Sequence, residues 1–370
     1  MFSIFVTDCQ PLQPFFTMKE ENICSGVLQL NPDELLKLKE LLSNRGQHIL
    51  LLGHTNPDGD AVGSDLALAR LCENLGHTVN IIVPNKYPYF LDWMPRIGEV
   101  IVHKLEGERC QKIVQDADII FCVDFNSVER LEALGELVNS NVTAKRILID
   151  HHLSPVGEFY AKFSFPESSS TAFLVYSIIE SLYGKQAITL EMAQSLYVGM
   201  MTDTGNFSFS FLTPALYRAI ATLLECGISP QQLHDSVYNA YSADRARLFG
   251  YVIHRKMKFL KRNSVAYMSL EEDEMRRFHF QQGDSEGFVN YPLTVGKMKL
   301  SAMFLAHTKF IRVSLRSRGN IDVNIFARKY FNGGGHKNAA GGKSFMTMAE
   351  TIEHFKRSID EFASEGYLNM

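Results

Sequence analysis

The sequence predicts an α/β protein of two domains, in which a parallel sheet with helices on both faces precedes a smaller α/β domain across a cleft. In the first half, short and continuously apolar runs alternate with helical stretches, which is typical of parallel strands buried on both faces. From about residue 257 onward, strand and helix patterns alternate again after a polar interval. A length of 370 residues also favours two domains.

Helix and strand signals follow one another in the first half. A run of leucines after Asn31-Pro32-Asp33-Glu34 predicts a capped helix with proline in its first turn. A second helix is predicted over 61–75, with Gly76 as its C-terminal stop. Hydroxyl residues at 168–171 predict the cap of a third helix, and an apolar helical stretch over 193–201 runs directly into Thr202-Asp203. Short apolar runs predict four buried strands, at 48–52, 79–83, 119–123 and 147–149.

The second half is predicted to form the smaller domain. A polar and charged segment over 230–256 is interpreted as a helical connector. Beyond it, the pattern predicts strands at 265–270, 299–306 and 310–315, a turn at 307–309, and helices over 323–331 and 347–364. We therefore divide the chain into a lead expected to be disordered (1–29), a first domain (30–228), the connector (229–256) and a second domain (257–366).

Composition argues against several classes of protein. A net charge of −4 disfavours a protein that coats long nucleic acid, and no apolar run approaches the roughly 18 residues that span a membrane. The phenylalanine-rich start lacks a basic segment and is interrupted by Asp8 and Pro11, so it is a poor signal peptide, and Met18 resembles a native start more closely. None of the six cysteines has CxxC spacing, which predicts reduced thiols, no zinc site and a cytoplasmic location.

Acidic and histidine residues gather in five stretches, four of which follow apolar runs. A carboxylate or imidazole just past a buried element has little packing role, and oxygen and nitrogen ligands suit Mn or Mg. In parallel sheets ligands bind beyond the carboxyl ends of the strands, where we expect His54, Asp58, Asp124 and Asp150-His151-His152 to lie. The stretches are His54-Thr55-Asn56-Pro57-Asp58-Gly59-Asp60, Val123-Asp124, Asp150-His151-His152, Thr202-Asp203 and Gly333-Gly334-Gly335-His336.

Each stretch also has an ordinary interpretation. Asp58-Gly59-Asp60 is typical of a turn, Asp124 could cap a following helix, and paired histidines are often polar surface. Asp203 and the residues after it could form a plain turn. However, two carboxylates two residues apart in an extended loop face different directions and can serve two neighbouring ions. The five stretches together, in this order, favour a two-metal phosphoesterase site over five unrelated turns.

The second domain contains a glycine run and a basic hairpin. Glycines at 333–335 allow backbone N–H groups to approach a phosphate closely, although a flexible loop is the ordinary alternative. Arg312, Ser314 and Arg316 alternate and therefore share one strand face. Two guanidinium groups on one face can clamp a phosphate, whereas the alternative is a solvated basic face. Three aromatic residues could stack a base, but core or cleft wall is the favoured interpretation: Phe207, Phe209 and Phe211.

With these motifs in this order, the chain resembles the DHH/DHHA1 phosphoesterase superfamily, named for the Asp-His-His at 150–152. The resemblance covers roughly residues 30–345. The superfamily includes RecJ-type exonucleases, family II inorganic pyrophosphatases and exopolyphosphatases. The chain is most similar to the branch of bifunctional oligoribonucleases (nano-RNases) and pAp phosphatases. The Gly333–His336 run is similar to the signature of the DHHA1 domain, which contacts substrate from across the cleft.

The resemblance implies two divalent metal ions, Mn²⁺ in the usual case and Mg²⁺ as the alternative. It implies that His54, Asp58 and Asp124 hold one ion and that Asp124 bridges to the other. Asp150 would orient an imidazole and His152 would contact phosphate, so these two and Asp124 are the catalytic candidates. The second ion would be held by Asp60, Asp124, His151 and Asp203. The substrate-binding candidates are Arg312, Ser314, Arg316, Gly333, Gly334, Gly335 and His336.

By the same resemblance, we expect an enzyme that removes mononucleotides from short oligoribonucleotides and releases the 3′-phosphate of 3′-phosphoadenosine 5′-phosphate (pAp). A phosphodiesterase acting on pApA or cyclic di-AMP, an exopolyphosphatase-related hydrolase, and a nucleotide-binding regulator without catalysis are the alternatives. The complete set of candidate ligands argues against the regulator, and the net charge argues against a nuclease for long strands. Short RNAs and small nucleotides are the expected partners, and no membrane or protein partner is implied.

Overall fold

Two six-stranded sheets, each with a hydrophobic core on both faces, organise the computed structural model, which describes residues 28–208, 211–261 and 264–368. The predicted lead up to residue 27, with Met18, Cys9 and Cys24, lies outside the described residues. Within the described ranges, no helix combines the length and the apolarity that a membrane span requires. The four cysteines in these ranges are free thiols, and burial raises the pKa of Cys72 and Cys122 to about 12.

The first sheet is parallel throughout. Its strands are β1 (His48–Leu52), β2 (Thr78–Val83), β3 (Val100–Val102), β4 (Ile119–Val123), β5 (Lys145–Asp150) and β6 (Ala161–Ser164), in the order β3-β2-β1-β4-β5-β6. Ile49 and Leu51 of β1 pack in one core, and Leu50 and Leu52 pack in the other. Both faces are therefore covered, as the continuous apolar runs predict. β3 and β6 are not predicted from the sequence, because they are too short to give a clear apolar run.

Helices cover both faces of this sheet. Asn31 caps the helix that begins at Pro32 by accepting a hydrogen bond from the N–H of Asp33, and Ser170 caps the helix that begins at Thr171. Both predicted caps are therefore confirmed. One face packs against α1 (Pro32–Ser43), α2 (Gly59–Asn74), α5 (Thr171–Tyr183), α6 (Leu190–Asp203), α7 (Pro214–Glu225) and α8 (Pro230–Tyr238). The other packs against α3 (Gly107–Asp116) and α4 (Ala133–Ser140).

Close contact between α2 and α6 sets the position of the site. A Cβ added at Gly63 would lie 2.4 Å from the carbonyl oxygen of Ser195, and one at Gly199 would lie 2.5 Å from the Cβ of Ala172. Only glycine lets the helix backbones approach this closely. The contact holds the start of α2, which contains Asp60, against α5 and α6.

We expect Gly63→Ala to lower the free energy of unfolding by roughly 1–3 kcal/mol, because the added methyl group overpacks the contact between α2 and α6. Gly250→Ala is the matched control. It lies in α9 (Ala243–Tyr251), where no atom lies within 4 Å of the added Cβ, so helix propensity should raise stability by up to about 1 kcal/mol. Urea unfolding measures both variants. Equal stability of the two would contradict the close helix contact.

The second sheet is mixed. Its strands are β7 (Lys258–Leu260), β8 (Val265–Leu270), β9 (Leu300–His307), β10 (Phe310–Ser317), β11 (Gly334–His336) and β12 (Ala339–Ser344), in the order β11-β12-β10-β9-β8-β7. β8 and β9 pair in parallel, and the other neighbours pair antiparallel. One face packs against α11 (Val323–Tyr330) and α12 (Met348–Ser364), and the other packs against α9 and α10 (Glu272–Arg277).

One prediction of local structure is wrong, and two of the ordinary alternatives fail. A flexible loop is the ordinary alternative for the glycine run, but its last three residues form β11 and pair with β12. Asp60 is predicted in a loop, but it lies in the first turn of α2. Asp58 caps that helix, because its side chain accepts a hydrogen bond from the N–H of Asp60. The turn alternative for Asp203 fails because this residue ends α6. A helix cap and a turn use the same Asp and Gly residues, so the sequence alone does not distinguish them.

The predicted connector takes part in both cores. Leu233 and Val237 of α8 pack in the core of the first sheet, whereas Leu248 and Val252 pack in the core of the second. The segment ends in a π-helical turn over Val252–Lys256. The segment is helical as expected, and the bounds of the four predicted segments stay predictions.

Candidate active site

The candidate ligands lie beyond the carboxyl ends of neighbouring strands. His54 follows β1, Asp124 follows β4, and Asp150 is the last residue of β5. The chain places β2 and β3 on one side of β1 and places β4, β5 and β6 on the other. The crevice between β1 and β4 is therefore the point where the strand order reverses, which is where open α/β sheets bind ligands.

The structure brings the predicted ligands into two groups. His54, Asp58 and Asp124 offer ligand atoms within 4.8 Å of one another, and so do Asp60, His151 and Asp203. Asp124 lies between the groups. Its Oδ2 is 3.3 Å from Nε2 of His54, and its Oδ1 is 3.5 Å from Nε2 of His151. The bridging position that the resemblance implies for Asp124 therefore fits its geometry.

Two imidazoles are held with Nε2 toward the carboxylates. Nδ1 of His54 lies 2.8 Å from the carbonyl oxygen of Thr55, and Nδ1 of His151 lies 3.2 Å from that of Ser168. Because a carbonyl oxygen only accepts, each Nδ1 carries the proton. Nε2 of each ring therefore faces the carboxylates: it donates to them while the ring is protonated and is a metal ligand when the ring is neutral, an arrangement usual for metal-binding histidines.

The N-terminus of α5 anchors Asp60 and Asp124. The N–H groups of Thr171 and Ala172 donate to the two carboxylate oxygens of Asp60, at 2.7 and 2.8 Å. The hydroxyl of Thr171 donates to Oδ1 of Asp124 at 2.8 Å. The first N–H groups of a helix lack partners within the helix, so they suit an anion. The sequence predicts the cap of this helix but not its contact with Asp60, since the two are distant in the chain.

Asp124 has an unusual backbone and environment. It is 2% exposed, and its φ of 62° lies in the left-handed region, which non-glycine residues adopt rarely and often at functional sites. Although burial acts to raise it, the hydrogen bond with His54 and the charge of His152 lower the pKa of Asp124. The carboxyl group is therefore ionised within the cluster.

The charge of the cluster fits a divalent cation. Burial and the charges of Asp124 and Asp203 raise the pKa of Asp60. Burial raises the pKa of Asp203 to about 7, with Asp58 and Asp124 adding to the rise and His151 opposing it. The carboxylates thus repel one another, and a cation between them would relieve the repulsion. Carboxylate and imidazole donors without a thiolate suit Mn²⁺ or Mg²⁺, so the residues fit a metal centre.

We expect Mn²⁺ to raise the Tm of the EDTA-treated protein by several degrees, since saturation at a hundredfold excess over Kd contributes about 2.7 kcal/mol. Asp203→Asn removes one repelling carboxylate. It should raise the Tm in EDTA and reduce the further rise that Mn²⁺ produces. Asp116→Asn, at an exposed position on α3, is the control and should behave as wild type. An Mn²⁺ response in Asp203→Asn equal to that of wild type would contradict a role for Asp203 in metal binding.

A second histidine and the glycine run complete the cleft. Oδ1 of Asp150 lies 2.7 Å from Nδ1 of His152, which fixes the ring and leaves Nε2 as an acceptor in the neutral form. The ring of His336 reaches across from the second domain, with centroids 4.7 Å from His151 and 4.8 Å from His152. Burial and the charges of both neighbours lower the pKa of His336, so its ring is neutral.

Packing accounts for two of the glycines. A Cβ at Gly333 would lie 1.9 Å from the carbonyl oxygen of Gly341. Gly335 has φ of 148°, and its N–H donates to Oδ1 of Asn324 at 3.0 Å. The hairpin therefore needs glycine at both positions. Phosphate contact through the bare N–H groups of Gly333, Gly334 and Gly335 stays a prediction.

The basic hairpin faces the carboxylate cluster. Arg312, Ser314 and Arg316 are half-buried and alternate with buried residues of β10, as predicted. Nη2 of Arg312 donates to Oγ of Ser285 at 2.9 Å. Arg316 lies close enough to the first domain for the charges of Asp203 and Asp58 to act on it. A phosphate in the cleft would thus meet two guanidinium groups opposite the candidate metal ligands.

Sequence reasoning misses two charged residues of the cleft. The positive charge of Arg130 acts on His54 and His152, and Glu286 faces Arg312 and Arg316. Burial, with the charge of Asp58 adding to it, raises the pKa of Glu286 to about 7. Neither residue stands in a recognisable motif. Of the three aromatic candidates, Phe207 packs partly against the first core, Phe211 is 52% exposed, and Phe209 lies outside the described residues.

Two α/β domains that face each other across a cleft, with carboxylates and histidines on one side and arginines on the other, define a hydrolase of phosphate esters. The N-terminal domain of the DHH family matches residues 48–200, and the DHHA1 domain matches residues 263–365. The chain belongs to the DHH/DHHA1 phosphoesterase superfamily and is an enzyme of that class, which confirms the resemblance and the fold class that the sequence predicts.

The relatives include enzymes that act on nucleotides. The chain is 29% identical over 322 residues to the bifunctional oligoribonuclease and PAP phosphatase NrnA of Thermus thermophilus, covering 86% of this chain and 92% of the relative. It is 25% identical over 345 residues to the cyclic-di-AMP phosphodiesterase GdpP of Bacillus subtilis, covering 89% of this chain and 50% of the relative. The crystal structure of an exopolyphosphatase-related protein from Bacteroides fragilis has a TM-score of 0.84 and 36% identity, covering 91% of this chain and 98% of that one.

Proposed function

We propose that the protein removes mononucleotides from short oligoribonucleotides and converts pAp to AMP in the cytoplasm. The observation that carries this proposal is the cleft itself, in which two groups of oxygen and nitrogen ligands face Arg312 and Arg316. The named activities of the Thermus thermophilus relative, which aligns along most of both chains, support these substrates.

We further propose that two divalent ions, Mn²⁺ or alternatively Mg²⁺, occupy the cluster. His54, Asp58 and Asp124 would hold one ion, and Asp124 would bridge to the other, which Asp60, His151 and Asp203 would hold. When bound, such ions lower the pKa of water and neutralise charge on a phosphate. The anchoring of Asp60 by two N–H groups and of both imidazoles by carbonyl oxygens supports this assignment, because preorganised ligands bind metal more tightly.

The other residues of the cleft bind and orient the substrate. Arg312, Ser314 and Arg316 would hold the phosphate that is not cleaved, since paired guanidinium groups match phosphate geometry. His152, fixed by Asp150, would donate to or accept from the reacting phosphate. Both proposed substrates carry a second phosphate near the reacting one, so a single cleft can serve both reactions. Placing that phosphate orients the reacting ester, which contributes to the rate.

A linear or cyclic dinucleotide is the second candidate substrate. The likeness to the cyclic-di-AMP phosphodiesterase supports it, and the pair of arginines would suit its two phosphates. Polyphosphate is a weaker candidate because the exposed ring of Phe211 follows Asp203 closely in the chain, and aromatic rings favour a base. The two complete groups of candidate ligands argue against a regulator without catalysis.

Competition between substrates tests the single cleft. We expect pAp to inhibit the cleavage of a trinucleotide competitively, with an inhibition constant equal to its own KM within about twofold. Both constants are measured with the same Mn²⁺ concentration. Non-competitive inhibition, or turnover of pAp without any turnover of RNA, would contradict the proposal.

A further inference from the structure

The face of β10 that carries the two arginines continues outward to an aromatic residue. Residues 310, 312, 314 and 316 alternate with buried positions and therefore share this face. At the inner end, Arg316 pairs with Ala339, which pairs with His336 of the cleft. Farther out, Arg312 pairs with Lys343, and Phe310 pairs with His307. The strand thus forms a row that starts at the candidate metal centre and ends at two rings.

The length of this row exceeds a single nucleotide. Arg316 and Phe310 are six positions apart, which corresponds to about 20 Å at roughly 3.4 Å per residue. Stacked nucleotides in one strand advance by about 3.4 Å each, so roughly six stacked nucleotides, or fewer extended ones, cover the same distance. A nucleotide such as pAp, with one base, cannot reach from the cleft to the outer end.

Stacked rings and cations form the outer end. The rings of His307 and Phe310 are nearly parallel, with an interplanar angle of 15° and centroids 5.0 Å apart. Nζ of Lys343 lies 4.9 Å from the centroid of Phe310. The carboxylate of Glu132, in the first domain, forms ion pairs with Nζ of Lys343 at 3.8 Å and with Nζ of Lys104 at 3.3 Å. Both domains therefore border this end. His307 is exposed, and burial and the charge of Arg312 lower its pKa, so a neutral ring faces the solvent.

A groove of about 550 Å³ lies beside His307. This volume falls in the range of small-molecule sites, which is roughly 300–1,000 Å³. Its lining combines apolar and charged side chains, which suits a flat ring with polar edges. The lining includes Leu305, His307, Met275, Phe280, Glu272 and Arg276.

We propose that this groove, with the stacked rings of His307 and Phe310, is an outer subsite for a nucleobase of a short oligonucleotide whose reacting phosphate lies in the cleft. The inference rests on the proposed function for the class of substrate. Arg312 and Lys343 pair on neighbouring strands between the two ends of the row, and Lys104 lies beside Glu132 near His307, so positive charges are available for the connecting phosphates. The subsite binds the more distant nucleotides of an oligomer, so it distinguishes oligonucleotides from pAp.

Calorimetric titration of the full chain in EDTA, where turnover is suppressed, tests the subsite with unlabelled hexaadenylate and with pAp. We expect wild type to bind hexaadenylate at least about tenfold more tightly than pAp, because base stacking adds affinity. His307→Ala and Phe310→Leu should each weaken hexaadenylate binding by roughly five- to a hundredfold, and the loss should be at least about fivefold greater than the loss for pAp. Tyr217→Leu, at an exposed ring on α7, is the control and should change neither Kd.

Equal losses for both ligands, or no loss for hexaadenylate, would overturn the subsite. His307 is exposed, so its variant keeps the test valid if Phe310→Leu fails to fold. Because the titration measures binding, its result is separate from the proposed function. A wild-type protein that binds hexaadenylate in this length-dependent manner but hydrolyses neither RNA nor pAp would refute the function and retain the subsite.

Discussion

Asp124→Asn is expected to lower kcat on both short RNA and pAp by about a thousandfold or more, because a metal centre contributes several kcal/mol to such reactions and each 1.36 kcal/mol is a factor of ten. The substitution keeps the size of the side chain and removes its charge. Asp124 lies between the two groups of ligands and is 2% exposed, so the substitution removes a buried negative charge that both groups share. Steady-state kinetics with saturating Mn²⁺ measure the effect.

Asp65→Asn is the matched control for this substitution. Asp65 is also fully buried and near the site, but its two carboxylate oxygens have no hydrogen-bond partner among the described residues, and it belongs to neither group of ligands. Burial and the charge of Asp124 raise the pKa of Asp65, so its protonated carboxyl group already resembles the neutral amide of asparagine. We expect Asp65→Asn to stay within about threefold of wild type. Retention of several per cent of the wild-type kcat by Asp124→Asn would contradict the bridging role of Asp124.

Arg316→Gln is expected to reduce kcat/KM by about a hundredfold on RNA and on pAp, because hydrogen bonds to a charged group contribute roughly 1.5–3 kcal/mol. Arg316 is half-buried and faces Asp203 across the cleft, so water cannot replace the guanidinium group fully. Arg316→Lys should recover only part of the loss, since an ammonium group binds phosphate as a point charge without the bidentate geometry.

Arg318→Gln, two positions farther along the same hairpin, is the control for Arg316. The side chain of Arg318 is exposed just beyond the end of β10, and we expect its substitution to change kcat/KM by less than about twofold. Initial rates at several substrate concentrations separate kcat from KM for each variant. If Arg316→Gln and Arg318→Gln lower kcat/KM equally, the arginine row of β10 does not hold the substrate.

The parallel sheet and the position of the site could be predicted because their signals are local. Apolar runs such as 48–52 and 119–123 show that a strand is buried on both faces, and the motif residues follow those runs directly. Once the strands are parallel, His54, Asp124 and Asp150 must lie at one edge of the sheet. The chemistry of this edge follows from the residue types alone.

The remaining features depend on contacts between distant parts of the chain. The N–H groups of Thr171 and Ala172 donate to Asp60, which lies more than a hundred residues earlier in the chain. No local sequence pattern predicts that contact. Arg130 and Glu286 stand outside any motif and enter the cleft only through the packing of the two domains. The glycine run is a strand because Gly333 must pass close to Gly341, which the sequence alone does not show.

The proposed active site is tested by the turnover of three substrates, a short RNA, pAp and a polyphosphate chain, each measured with Mn²⁺ and with EDTA. We expect turnover of RNA and pAp that requires Mn²⁺, with far slower turnover of polyphosphate. Rapid hydrolysis of polyphosphate alone would retain the candidate metal centre and contradict the role of Arg312, Arg316 and the glycine hairpin. Undiminished turnover in EDTA would contradict the metal centre itself.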